Sequence, residues 1–308
     1  MIGKSVRPWG DGLFRGMTLG FAVGIPLLFV SIVLCLWHES QPAVEKFGLS
    51  FLTSTAWNPV RDDFGAFTAI AGTLGSTLLA LFFAVPASIG TAVFLAELAP
   101  PWLRGVLGTG IELLAAVPSI VYGMWGLFTV SPLIADYLQP GLATSLGFLP
   151  FFQGPAIGIG VLTAGLVLAL MILPFIAAVC RDAFLMVPTN LKEAAYGMGC
   201  TKWEVIRDVM IPYCRKGIAG GIFLGTGRAL GETMAVTFVI GNAHRFSWSL
   251  FAPGNSIAST LANEFTEADS EIYLASLIEL GLVLFLITFL VLAAAQWWLR
   301  RGTPERAS

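Results

Sequence analysis

Phe64–Ala96 reads FGAFTAIAGTLGSTLLALFFAVPASIGTAVFLA, 33 residues without a lysine, arginine, aspartate or glutamate. About 20 apolar residues are enough for a helix to cross roughly 30 Å of hydrocarbon. Gly16–His38 (23 residues), Leu113–Ala135 (23) and Tyr137–Cys180 (44) are equally free of charge, and Gly217–His244 and Ile272–Leu299 are apolar apart from isolated charges. Composition agrees: of 308 residues, 56% are hydrophobic and 12% charged, with a mean hydropathy of +0.81, where soluble domains carry about 25% charge. Hydrocarbon offers the backbone no hydrogen-bond partner, so each crossing must satisfy its own amides as a helix. The runs are continuous and lack the alternation of a β-barrel strand. The chain reads as an all-α integral membrane protein with about six transmembrane helices, near 17–37, 68–96, 106–130, 156–180, 217–240 and 272–299.

Basic residues set the orientation. With the N-terminus inside, the inner segments hold Lys4, Arg7, Arg15, Arg104, Arg181, Lys192, Lys202, Arg207, Arg215, Lys216, Arg300, Arg301 and Arg306, thirteen in all; the outer segments hold Lys46, Arg61 and Arg245. Both termini are therefore expected in the cytoplasm. The first apolar run is longer than a signal-peptide core and lacks a small-residue cleavage site, so it reads as a retained span. The expected layout is 1–67 for the N-terminal segment, first span and first outer loop, 68–299 for the main transmembrane domain, and 300–308 for a tail. Residues 131–155, with Pro132, Pro140, Pro150 and Pro155, read as an irregular outer connection. The net charge of −2 gives no basic surface for nucleic acid. Cys35, Cys180, Cys200 and Cys214 form no metal or redox spacing and read as apolar filler. Gly3-Lys4-Ser5 echoes the end of a nucleotide-binding loop without the upstream glycine or strand, so nucleotide is expected on another chain.

The inner segment Val187–Arg215, VPTNLKEAAYGMGCTKWEVIRDVMIPYCR, is too long for a plain connection. Asn190 with Glu193, and Thr201 with Glu204, are spaced to cap two short helices. Gly197 and Gly199 supply the break between them, and Pro212 the end of the second. Glu193-Ala194-Ala195, three residues, Gly199, nine residues, then Val209-Met210-Ile211-Pro212 resembles the EAA loop of ABC importer permeases. Val209 and Ile211 stand where that pattern has isoleucine and leucine. The resemblance implies that Glu193, Ala194, Ala195, Gly199 and Pro212 form a coupling loop, 187–215, seated in a cleft of an ATP-binding subunit.

The run 217–242, GIAGGIFLGTGRALGETMAVTFVIGN, places Arg228 near mid-bilayer and Glu232 four residues on, on the same face of a continuous helix. Charges at that depth are expensive, about 2.5–3.5 kcal/mol each on insertion scales, and face a bundle interior or a watery path. On residue chemistry alone they form a structural ion pair or line an anion path, in which a guanidinium fork would suit an oxyanion. Glu112 reads as a snorkelling or packing residue, Glu279 as a partner either of Arg228 or of another subunit, and His38 and His244 as interfacial.

Gly227–Asn242 is similar to the fifth-span signature of phosphate-specific ABC permeases of the PstC type. Phe51–Val60 (FLTSTAWNPV) and Ile111–Phe128 (IELLAAVPSIVYGMWGLF) resemble the same family. That resemblance implies a type I, MetI-like permease fold in a bacterial cytoplasmic (inner) membrane, with Arg228 and Glu232 on the phosphate path. It also implies a PstA-type second permease, two ATP-binding subunits carrying ATP and Mg, and a periplasmic phosphate-binding protein. No cofactor is expected on this chain. A permease for sulfate or molybdate shares the coupling loop. An ion-coupled secondary transporter would lack that loop and usually shows internal repeats.

Overall fold

In a computed structural model the described residues are 8–301. Lys4, Arg7, the Gly3-Lys4-Ser5 echo, and Arg306 with the rest of the tail beyond 301 lie outside them. The chain runs through α1 (Pro8–Phe47), a hairpin of β1 (Trp57–Asn58) and β2 (Asp63–Phe64), then α2 (Phe67–Val93), α3 (Pro101–Ala116), α4 (Ser119–Trp125) and α5 (Val161–Leu185). It continues through α6 (Thr189–Gly197), α7 (Ile211–Leu230), α8 (Met234–Ile240), α9 (Ile257–Glu264) and α10 (Glu271–Arg301). Among the described residues four helical stretches are long and apolar enough to cross a membrane: Gly10–Phe47, Phe67–Leu98, Val161–Leu185 and Glu271–Leu299.

The other two expected spans are not continuous. The one expected at 106–130 bends by 91° between Pro101–Ala116 and Ser119–Leu146. Pro118 is the cause: the residue before a proline is pushed out of the helical region, and Val117 is extended at ψ 131°. The one expected at 217–240 stops at Leu230 and restarts at Met234. Residues 131–146, expected to be irregular, are helical, and α1 carries on through residues expected in the first outer loop.

Prolines explain much of the helical irregularity. The described residues hold four π-helical turns, Phe94–Leu98, Gly126–Val130, Ile134–Leu138 and Val205–Met210. Each ends two residues before a proline: Pro100, Pro132, Pro140 and Pro212. A proline lacks an amide hydrogen and its ring collides with the carbonyl four residues back; a π turn widens the ladder at that point. Pro212 thus does not end a helix as expected. The helical path runs from Lys202 through the π turn into α7.

α5 sits at the centre, packed on α2, α7 and α8, around Ala80, Ala84, Leu168, Ile172, Ile176 and Val239. The contact is close because small residues line it. At Gly165 of α5 an added Cβ would lie 2.5 Å from Leu79 Cδ2 of α2, and at Gly225 of α7 one would lie 2.6 Å from Ile176 Cγ1 of α5. A second cluster, at the far end from the 187–215 loop, packs Phe51 and Phe64 of the first loop against Ile257, Tyr273 and Leu277. α1 meets the rest of the chain chiefly along α10, where the Phe29 and Phe285 rings lie 4.7 Å apart.

Candidate functional site

Arg228 occupies the last turn of α7, just before the break. Its guanidinium lies over the ring of Phe175 on α5, 4.3 Å from the centroid, and its Nε is buried without a hydrogen-bond partner. Tyr122 of α4 is close enough to feel its charge. Among the described residues no carboxylate comes within 4.0 Å of it. The expected same-face pairing with Glu232 fails because the helix ends between them. Glu232 instead lies in the three-residue gap, buried at 9% exposure, and its Oε1 accepts from the Ala235 amide at 3.1 Å. It thereby satisfies one of the free amides in the first turn of α8.

Glu279 does not pair with Arg228 within the described residues. It is 7% exposed and its Oε2 has no partner. Glu112 is not isolated either: Arg181 of α5 donates to it at 3.0 Å and to Asp182 at 3.0 Å. The Glu112 bond ties α3 to the end of α5.

The 187–215 loop folds as a knob. Thr201 and Glu204 form the expected capping box, with Thr201 N donating to Glu204 Oε2 at 2.7 Å and Glu204 N to Thr201 Oγ1 at 3.4 Å. The Thr201 amide and hydroxyl, both donating to Glu204 Oε2, hold this exposed carboxyl below the ordinary glutamate range. Asn190 is not a cap: α6 begins at Thr189 after Pro188, with no side-chain cap. α6 ends in a Schellman turn. Cys200 N donates to Ala195 O at 3.1 Å and Gly199 N to Tyr196 O at 2.9 Å, while Gly199 takes φ +89°. That conformation favours glycine.

The EAA residues divide between two directions. Glu193 and Ala194 are exposed beside Leu191, Tyr196 and Met198, whereas Ala195 is 2% exposed and packs inward with Val205 and Met210. Lys192, one residue before Glu193, reaches Glu97 at the end of the Phe67–Leu98 helix, 2.6 Å away. Arg104 Nη2 donates to Ala96 O at 2.9 Å in the same corner. No local pattern signals this tether, because Lys192 and Glu97 are 95 residues apart.

At the opposite end, His244 belongs to a network rather than to a free interface. Trp57 Nε1 and Tyr273 Oη donate to Glu264 Oε2 at 2.6 and 2.7 Å, and His244 Nε2 faces Glu264 Oε1 at 2.6 Å. Asn255 Nδ2 lies 2.9 Å from His244 Nδ1. The Trp57 and His244 rings stack at 5.1 Å and 4°. Burial pushes the Glu264 carboxyl up, but the bonds from His244, Tyr273 and Trp57 outweigh it, and it titrates below the ordinary range.

This arrangement of broken helices, a central cation and a protruding knob is that of a transport permease. Residues 84–302 match the family of binding-protein-dependent transport system inner membrane components. The chain is 54% identical to the phosphate transport system permease protein PstC of Pasteurella multocida (94% of this chain, 91% of that protein) and 51% to that of Mesorhizobium japonicum (94% and 90%). It is 35% identical to the probable PstC of Methanocaldococcus jannaschii (94% and 93%). The chain belongs to the PstC family of phosphate transport system permeases. Its fold is shared with a bacterial alginate ABC transporter solved with an alginate-bound periplasmic protein (TM-score 0.63, 15% identity, 96% of this chain and 98% of that one). It is shared too with the MetNI methionine transporter in inward-facing form (TM-score 0.53, 17% identity, 80% and 96%).

Proposed function

We propose that this chain is one of two membrane-spanning subunits of an ATP-driven importer of inorganic phosphate, with Arg228 as the positive point of the anion path. The observation that carries the reading is the free guanidinium of Arg228. It is set in an interrupted span, and the acids expected to neutralise it are engaged elsewhere or out of reach. A half-buried cation whose donors stay available is suited to a phosphate oxyanion through forked hydrogen bonds. Glu232 supports the path indirectly, by holding the start of α8. Six crossings with both termini in the cytoplasm fit the strong inward bias of basic residues.

A permease of this family works with a second permease, an ATPase and a binding protein. The finer assignment is a PstA-type partner, two ATP-binding subunits holding ATP and Mg, and a periplasmic phosphate-binding protein. The exposed face of Glu193 and Ala194 would seat in the ATPase. The Lys192–Glu97 pair would pass its movement to the Phe67–Leu98 span. The decisive experiment is labelled phosphate uptake into proteoliposomes holding the purified complex, with internal ATP and external binding protein, with and without excess sulfate. Uptake that needs ATP and ignores sulfate is expected, and Arg228→Gln should abolish it while the complex still assembles. Sulfate competition, or full activity in Arg228→Gln, would overturn the assignment.

A further inference from the structure

A guanidinium inside a membrane protein can be stabilised by a carboxylate, by carbonyl groups or by the face of an aromatic ring, and the three differ in what they leave free. A carboxylate or a carbonyl occupies the N–H donors, which lie in the guanidinium plane, and a carboxylate also cancels the charge. A ring engages the face of the cation and leaves the in-plane donors open. Arg228 is stabilised in the third way: the Phe175 ring lies 4.3 Å from its central carbon, and no carboxylate among the described residues is within 4.0 Å.

The backbone that carries the ring is itself anchored. Phe175 follows buried Pro174, precedes fully buried Ile176, and sits beside a backbone carbonyl, Leu173 O, that accepts from Ser88 Oγ of α2 at 3.0 Å. We infer that Phe175 is a positioning residue for anion recognition, standing in place of a counter-carboxylate so that Arg228 is fixed in direction yet keeps its charge and donors for the substrate. This rests on the assignment of Arg228 to the phosphate path.

The test is the concentration dependence of ATP-driven phosphate uptake by the reconstituted complex carrying Phe175→Leu, Phe175→Met, Phe175→Tyr or Phe175→Trp. Loss of the ring face should raise KM about tenfold in the Leu and Met variants, about 1.4 kcal/mol. Maximal rate should stay within about twofold, and the Tyr and Trp variants should restore KM to within about twofold. To separate this from packing, mono-, di- and trifluorophenylalanine placed at 175 keep the shape while draining the ring face; KM should climb with each fluorine. An unchanged KM in the Leu and Met variants, an equal loss in all four, or a flat fluorine series overturns the inference. Arg228→Gln is run beside them. If it transports with wild-type KM, the path assignment itself fails; if it is inactive while the Phe175 series is flat, only the role of the ring fails.

Discussion

The tether between Lys192 and Glu97 offers a direct test of how movement leaves the knob. The Nζ–Oε1 distance is 2.6 Å, and the two side chains keep 20% and 17% of their exposure. Exposed ion pairs contribute about 0–1 kcal/mol, whereas breaking a buried one costs about 3–5. A pair about four-fifths buried falls between, near 2 kcal/mol, or roughly thirtyfold in an equilibrium. Lys192→Met leaves Glu97 facing a methyl group in the corner where the Arg104–Ala96 bond also holds the helix end. We expect reconstituted Lys192→Met complexes to hydrolyse ATP at close to the wild-type basal rate but to import about thirtyfold less phosphate per ATP. Glu97→Gln should behave alike, and the double variant should be no worse than either single one, because it leaves no stranded charge. The charge-exchanged pair, Lys192→Glu with Glu97→Lys, should regain a measurable part of the coupling. Strictly additive effects of the two single changes, with an interaction energy under about 0.5 kcal/mol, would refute the tether.

Three further outcomes follow from other parts of the molecule. Glu264 has a folded-state pKa below its unfolded value, so its stabilisation is present above about pH 4.3 and is lost as pH falls through the depressed folded value. Glu264→Gln should lower the melting temperature of the complex at pH 7, by the loss of about 2 kcal/mol of charged hydrogen bonding, and the gap from wild type should close in acid; a gap independent of pH would contradict this. Gly72→Ala drives a Cβ to 1.8 Å from Asn255 O and should cost about 1–3 kcal/mol by overpacking, seen as reduced yield of assembled complex. Gly75→Ala, with nothing nearer than 4.0 Å, should assemble normally. Thr201→Ala removes the capping box and should cost about 1 kcal/mol, read as faster hydrogen exchange over residues 202–206 than in wild type.

What the sequence disclosed depended on the range of the interaction behind each feature. The capping box at Thr201 and the turn at Gly199 are local, so spacing alone located them. The long spans were legible because hydrophobic length is a property of one segment. Their breaks were partly legible. Val117 before Pro118 marks a break inside 106–130, and Pro212 marks a widened helical turn rather than a helix end. The partners of Arg228, Glu264 and Lys192 could not be found this way. Phe175 is one of 23 phenylalanines in a chain full of apolar runs, Trp57 and Glu264 are 207 residues apart, and no periodicity joins such positions.

Glu232 shows why local spacing and tertiary context must be combined. Four residues of spacing put Glu232 beside Arg228 only if the helix between them is intact, and Gly231 sits in the interval with neither a side chain to pack nor a strong helical preference. Once the helix opens there, the free amides of α8 attract the carboxylate more directly than the arginine does, because Ala235 N lies 3.1 Å from Oε1. The same opening that removes a counterion from Arg228 therefore gives Glu232 its structural task. A continuous helix would have favoured a neutral pair; the interrupted one leaves a cation with open donors inside the bundle. On this argument Glu232→Gln, whose amide oxygen can still accept from Ala235, should retain most uptake, whereas Glu232→Leu should lose it through the disordered start of α8. Equal loss in both, measured in the same uptake assay, would mean that the charge of Glu232 acts on the anion directly and that the capping account is wrong.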